Sequence, residues 1–263
     1  MDLQLRDKKV LITGSTAGIG YAIAEQIAAE GAQVIINGRT QKSVDQALTA
    51  LKEKTTSEID GFAGDLSTLE DTRALTSAHS EVDILINNLG IFEPVPFEEI
   101  TDDDWRRFFE INVLSAIRLS RQYLQAMRKK DWGRIIFISS ESGVQIPVEM
   151  IHYGMTKTAL LAVSRGLAEH VAGTGITVNS VLPGPTKSRG VLDFVAELAE
   201  KDGQSFEEFE KEFFTKMRPS SLIQRFAEPA EVASLVCYLA SPLASATTGA
   251  ALRVDGGVVR SAF

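Results

Sequence analysis

The chain has 263 residues, with 27 Lys plus Arg against 35 Asp plus Glu and a formal net charge of −8. That balance excludes a general phosphate-backbone binder, which needs clustered positive charge; it leaves room for a small anion held by backbone N–H groups and one or two cations. One cysteine, Cys237, and three scattered histidines, His79, His152 and His170, exclude an intramolecular disulfide framework and a cysteine-based zinc site, so no metal is expected.

Short Val- and Ile-rich runs alternate with longer segments of helical period. Strands are predicted at Val10–Thr13, Gln33–Asn37, Ile59–Ala63, Asp83–Asn87, Arg134–Ser139, Thr177–Leu182 and Ala251–Val254. Helices are predicted to start near Gly18, Thr40, Ser67, Thr101, Tyr153 and Glu228. Near-continuous apolar strands suit a parallel sheet covered on both faces. Their alternation with helices predicts right-handed crossovers and an α/β, doubly wound sheet. No repeat, low-complexity tract or linker divides the chain, so residues 1–263 are read as one domain. No leader-like apolar run and no stretch of about 18 apolar residues occurs. The expectation is a cytoplasmic protein with no membrane and no nucleic-acid partner.

Two helices carry clear signals. Thr101 followed by Asp102, Asp103 and Asp104 reads as an N-cap with acids in the first turn. Trp105, Phe108, Phe109, Ala116, Leu119 and Tyr123 then recur as a buried stripe. The other runs from Tyr153 to about Ala172, with Leu160, Leu161, Ser164, Leu167, Ala168 and Val171 on its apolar side. Between Leu182 and Glu228 a connection of more than forty residues interrupts the rhythm, as functional lids do. Six of the thirteen Phe fall there: Phe194, Phe206, Phe209, Phe213, Phe214 and Phe226. Phe206, Phe209 and Phe213 at helical spacing predict an amphipathic helix, either docked on the surface or covering a substrate pocket. The insertion is placed at 186–227.

Directly after the first strand comes Thr13-Gly14-Ser15-Thr16-Ala17-Gly18-Ile19-Gly20. Glycines at a strand-to-helix turn permit unusual dihedrals and close approach of a ligand to the backbone. The helix N-terminus then offers free N–H groups to a pyrophosphate. The spacing is G-x-x-x-G-x-G, not the G-x-G-x-x-G fingerprint, and a tight turn without a ligand is the bland alternative. No acid stands between Val34 and Gln41 to bond a ribose 2′-hydroxyl, whereas Arg39 offers a cationic fork to a 2′-phosphate. Ser15 and Thr16 add hydroxyls. NADP(H) is therefore preferred, with NAD(H) as the second cofactor.

Tyr153 and Lys157, four apart, share one helix face. A nearby ammonium favours a phenolate, so the pair reads as a general acid/base unit with a lowered tyrosine pKa. A solvated helix face is the alternative. Ser139-Ser140-Glu141-Ser142-Gly143 ends the fifth strand, where open α/β sheets bind ligands.

With these motifs in register the chain resembles the classical short-chain dehydrogenase/reductase family over essentially its whole length. Matching in order are Thr13 to Gly20, Asp65, Asn87-Asn88-x-Gly90, Asn112, the Ser140 region, Tyr153-x-x-x-Lys157 and Pro183-Gly184. The resemblance implies a Rossmann sheet of about seven strands with helices on both faces, in a homo-oligomer, tetramer or dimer. It implies a catalytic tetrad of Asn112, Ser140, Tyr153 and Lys157. Tyr153 would move the proton, Ser140 would orient the reacting oxygen, Lys157 would hold the nicotinamide ribose, and Asn112 would anchor a water at a helix distortion. Ser140 is chosen over Ser139 and Ser142 by its spacing to the tyrosine. For the cofactor it implies Gly14, Ser15, Thr16, Gly18, Ile19, Gly20, Arg39, Asp65, Leu66, Asn88, Gly90, Tyr153, Lys157, Pro183, Gly184 and Thr186. Asp65 has the alternative of capping the next helix. His152 is not required by this chemistry, and Cys237 reads as a buried small hydrophobe. Leu89 replaces the family's usual Ala.

The expected activity is hydride transfer between nicotinamide and a carbonyl or secondary alcohol of a small, partly apolar substrate. Lys187 and Arg189 would be the contacts for an acidic acyl carrier. A catalytically silent NADP(H)-binding sensor or scaffold is the alternative. An extended sugar-nucleotide enzyme is disfavoured by chain length and turn spacing. An enoyl reductase is disfavoured because that branch usually has wider Tyr–Lys spacing.

Overall fold

The computed structural model describes residues 2–188, 191 and 205–262. Seven parallel strands form one sheet among the described residues: β1 (Lys9–Ile12), β2 (Gln33–Gly38), β3 (Ile59–Ala63), β4 (Ile84–Asn87), β5 (Gly133–Ile138), β6 (Ile176–Pro183) and β7 (Ala251–Val254). Their order is β3-β2-β1-β4-β5-β6-β7. The strand order reverses between β1 and β4, the switch point where open α/β sheets bind ligands. The fold is therefore the expected Rossmann sheet, and each predicted strand lies within a residue of its observed limits.

The continuous apolar runs are explained by burial on both faces. Val10, Ile12, Val34, Ile36, Ile84 and Ile86 point to one layer, with α1 (Gly18–Ala29), α2 (Gln41–Lys52) and α8 (Pro229–Ala240) packed on it. Leu11, Ile35, Leu85, Ile135 and Phe137 point to the other, under α3 (Leu69–Ala78), α5 (Ser115–Lys130) and α6 (Ile151–His170). Cys237 is buried in the first layer.

The helix α4 (Asp102–Phe109) starts at the predicted Thr101 cap, a capping box closed by Asp104. Its join to α5 is a π turn over Glu110–Leu114. Phe108, Ala116, Leu119 and Tyr123 form the expected buried stripe, but Phe109 is exposed. One residue further round the helix is a rotation of about 100°, which turns Phe109 off that face. The predicted helix in the insertion is present as α7 (Phe206–Lys216), capped by Ser205 and Glu208. Phe209, Phe214 and Phe226 form a small core of their own, flanked by Phe206 and Phe213. Both ends of the insertion are tied together, because Thr186 bridges Ala227 in parallel. Phe194 and Arg189 lie outside the described residues.

His152 is fully buried between Phe108, at a ring separation of 4.0 Å, and Trp105. Neither ring nitrogen has a hydrogen-bond partner among the described residues. Burial lowers its pKa below the ordinary histidine value. The unfolded chain therefore binds more protons than the folded one near pH 6, and stability falls as pH drops through the unfolded pKa of about 6.5. Thermal unfolding of His152→Leu at pH 5.5 and 8 checks this: the variant should lose part of the acid sensitivity of the parent. No helix among the described residues is long and apolar enough to cross a membrane.

Candidate active site

The glycine turn and the C-terminal ends of β4, β5 and β6 line a cavity of about 420 Å³. At one end, Gly18 takes a φ of +57°, a conformation that glycine adopts without strain. Gly20 has no room for a side chain: a Cβ there would lie 2.5 Å from Asn88 Nδ2 and 2.6 Å from the Gly14 carbonyl oxygen. The close packing sets the N-terminus of α1 against the end of β4. No side chain caps α1 and no acid sits in its first turn. Its leading N–H groups and positive dipole end therefore face the cavity ready for an anion.

Two asparagines brace this turn. Asn88 Nδ2 donates to the carbonyls of Thr13 (3.0 Å) and Gly14 (2.9 Å). Asn37 Oδ1 accepts from Gly14 N–H at 3.1 Å, and its Nδ2 donates to the carbonyls of Phe62 and Gly64. Asn37 is thus the scaffold of the turn, a role that no spacing in the sequence signalled. Ser15 corrects an expectation. It is fully buried; its hydroxyl donates to the Ile12 carbonyl and accepts from Asn37 N–H. Its own N–H donates to the Asn37 carbonyl, so Ser15 braces the turn and has no hydroxyl left for a phosphate.

Gly14, Gly18, Ile19, Gly20, Asn88, Gly90, Tyr153, Lys157, Pro183, Gly184 and Thr186 all line the cavity. Thr16, Arg39, Asp65 and Leu66 do not; they lie beyond its edge, toward β2 and β3. Arg39 is exposed. Asp65 Oδ1 accepts from Ser67 N–H and hydroxyl in a turn ahead of α3, whose cap is Thr68 and not Asp65. Leu66 is buried in the second layer, so only its backbone is presented. Leu89 packs against that layer beside Gly14 and is accommodated without displacing the turn.

At the other end of the cavity Lys157 Nζ donates to the Ile138 carbonyl at 3.0 Å and sits 5.6 Å from the Tyr153 ring centre. Burial brings the Lys157 pKa down to about 8, with Glu141 opposing the shift. The Tyr153 phenol moves opposite to expectation. Burial raises its pKa, and the Glu141 carboxylate adds to the rise, while Ser140 and Arg218 offset little of it. Tyr153 therefore stays protonated at neutral pH, the state of an acid.

Asn112 is fully buried in the π turn. Its carboxamide bonds both the N–H and the carbonyl of Ile91 and donates to Thr156 Oγ1. Thr156 in turn donates to the Tyr153 carbonyl at 2.7 Å. The side chain expected to hold a water is thus committed to protein partners. Ser139 spends its hydroxyl on the Lys157 carbonyl. Ser140 accepts from Ser142 N–H and donates to Glu141 Oε2. Glu141 is 5% exposed and meets Arg218 at 3.6 Å, while Arg218 also pairs with Glu149 at 3.0 Å. Glu141 and Arg218 escaped the sequence reading because neither belongs to a recurring motif; only adjacency to Ser140 marked the first. Over this polar floor lie Phe92, Phe209, Phe213, Met217 and Phe226, an apolar cover. Lys187 pairs with Glu228 at 3.0 Å at the surface.

Residues 14–259 match the family model described as enoyl-(acyl carrier protein) reductase. The chain is 49% identical over 264 residues to the uncharacterized oxidoreductase YvaG of Bacillus subtilis, covering 100% of both chains. It is 32% identical to a 3-oxoacyl-[acyl-carrier-protein] reductase of Aquifex aeolicus, over 98% of this chain and 100% of the other. Its structure is similar to that of L-sorbose reductase from Gluconobacter frateurii complexed with NADPH and L-sorbose, with a TM-score of 0.93 and 32% identity over 99% and 100% of the two chains. It is also similar to an actinorhodin polyketide ketoreductase with NADPH, with a TM-score of 0.87 and 30% identity over 97% and 98%. With the β3-β2-β1-β4-β5-β6-β7 sheet, the glycine turn at its switch point and the Tyr153/Lys157 pair in one cavity, the chain belongs to the short-chain dehydrogenase/reductase family of oxidoreductases.

Proposed function

We propose that the protein is an NADP(H)-dependent carbonyl reductase, one domain over residues 1–263 with the 186–227 insertion as its substrate cover. The observation that carries this reading is the single cavity that joins an uncapped, glycine-lined helix N-terminus to a buried Tyr–Lys pair under a phenylalanine cover. The residues suit a dinucleotide: Gly18, Ile19 and Gly20 offer N–H groups to a pyrophosphate, Lys157 would hold the nicotinamide ribose, and Pro183, Gly184 and Thr186 would border the carboxamide. Bound NADPH supplies the hydride. The solved structures with NADPH support that choice of cofactor.

The protein's own work is then to hold and deliver a proton. Tyr153, kept neutral by burial, donates its phenolic proton to the carbonyl oxygen as that oxygen gains negative charge. Lys157 is the cation beside it. Asn112 positions Tyr153 through Thr156 and the loop of Ile91. Ser140, whose hydroxyl proton is held by Glu141, borders the place of the reacting oxygen. The cover selects a partly apolar ketone.

NADPH oxidation against a panel of ketones, diketones, quinones and acetoacetyl thioesters tests the reading; tight NADPH binding with no turnover on any of them overturns it. Arg39 should set the cofactor preference. Arg39→Ala is expected to raise KM for NADPH about ten- to a hundredfold, the loss of charge-assisted bonds to a phosphate, and to leave KM for NADH unchanged. Equal effects on both cofactors would place the 2′-phosphate elsewhere.

A further inference from the structure

The buried carboxylate beside the tetrad has a geometry that the chemistry above does not use. Glu141 follows Ser140 at the end of β5 and accepts that hydroxyl's proton through Oε2. Its other oxygen faces the Arg218 guanidinium at 3.6 Å. Arg218 stands just beyond α7, on the cover, and is anchored a second time by Glu149 at 3.0 Å. The charged and titratable groups that face Glu141 are therefore Arg218 from the cover, with Glu149 behind it, and Tyr153 and Lys157 from α6. A carboxylate this deep persists only when paired and hydrogen-bonded, and here both partners are supplied.

We propose that Glu141 is a positioning residue: paired with Arg218 of the cover, its carboxylate fixes the Ser140 hydroxyl at the floor of the cavity. The cover helix is thereby linked to the proton machinery, since the ion pair forms only with Arg218 seated over the cavity. The inference rests on Tyr153 being the acid. Two opposing effects act on the Glu141 carboxyl: burial raises its pKa above the usual range, and Ser140 and Arg218 pull it back. Its protonation removes the charge that Arg218 faces and weakens the acceptor that holds the Ser140 hydroxyl. Reduction should then show an acid limb that belongs to Glu141.

The test compares the parent with Glu141→Gln, Arg218→Met, Arg218→Lys and Tyr153→Phe, using whichever carbonyl of the panel turns over. Glu141→Gln keeps size and an acceptor but cannot titrate. It should lose the acid limb of kcat/KM, because no group at that position can then take up a proton. Arg218→Met should move the acid limb to higher pH, and Arg218→Lys should restore it. A structural measurement stands beside the kinetics. A carboxyl raised on folding contributes stability that is lost as pH climbs through its folded pKa. Glu141→Gln should therefore unfold at a higher temperature than the parent at pH 8, and the gap should close as pH falls toward 4.5, the usual value. Superimposable pH profiles for Glu141→Gln and the parent, with a pH-independent stability gap, overturn the inference. If Tyr153→Phe keeps its activity, the reading of the site itself fails. An inactive Tyr153→Phe beside an unchanged Glu141→Gln profile condemns the role of Glu141 alone.

Discussion

Tyr153→Phe is expected to lower kcat for carbonyl reduction by about a hundred- to ten-thousandfold, the contribution of a positioned proton donor. NADPH should still bind, because Gly18, Ile19, Gly20 and Lys157, the main groups proposed to hold the dinucleotide, are untouched. The size of the effect follows from the surroundings. Tyr153 lies against Phe92 at a ring separation of 6.3 Å, under the phenylalanine cover. Burial that keeps the phenol neutral also limits the water available to replace it. Ser140, a cavity hydroxyl, gives its proton to Glu141 and is a poor substitute. Stopped-flow NADPH oxidation with fluorescence titration of the cofactor separates the two steps; retention of more than about a tenth of the parent kcat removes Tyr153 from the proton transfer.

Asn37→Ala should cost about 3 kcal/mol of folding stability and weaken NADPH binding as well. The residue is 2% exposed, and three side-chain bonds are lost at once, to Gly14 N–H and to the carbonyls of Phe62 and Gly64. Each net bond is worth about 1 kcal/mol, and buried groups left without partners cost more. For a chain of this length that corresponds to a fall in Tm of about 6–12 °C. Asn37→Asp is the sharper variant. It keeps an acceptor for Gly14 N–H but turns a carboxylate toward two carbonyl oxygens, and should be no less damaging. An unchanged melting curve for either variant would show that the turn holds its shape through Gly18 and Asn88 alone.

Both variants bear on how much of the molecule could be read in one dimension. The seven strands were legible because burial on both faces leaves a continuous apolar signature, as in Ile84–Asn87 and Gly133–Ile138. The helix starts at Thr101 and Glu228 were legible because their capping residues and first-turn acids are local. The phenylalanines of α7 were legible through their period. Tyr153 and Lys157 are one helical turn apart, so their proximity required only a helix.

Tertiary structure decided the rest. Asn37 serves the turn from a neighbouring strand, and nothing in its own segment marks it. Ser15 lies inside the glycine motif, yet the sheet behind it takes its hydroxyl. Asn112 sits in a π turn, where one extra residue per turn re-aims a side chain that helical period alone would misplace. The direction of the tyrosine pKa was read wrongly because a spacing of four reports nearness to an ammonium but not the depth of burial or the carboxylate of Glu141. The sequence by itself determined the fold, the glycine turn at the switch point and the nearness of Tyr153 to Lys157, all of which depend on contacts within a turn or on the alternation of a strand. The protonation state of that pair, and its tie to the cover through Arg218, depend on desolvation and on charges brought together from far along the chain. Only the packed molecule sets those.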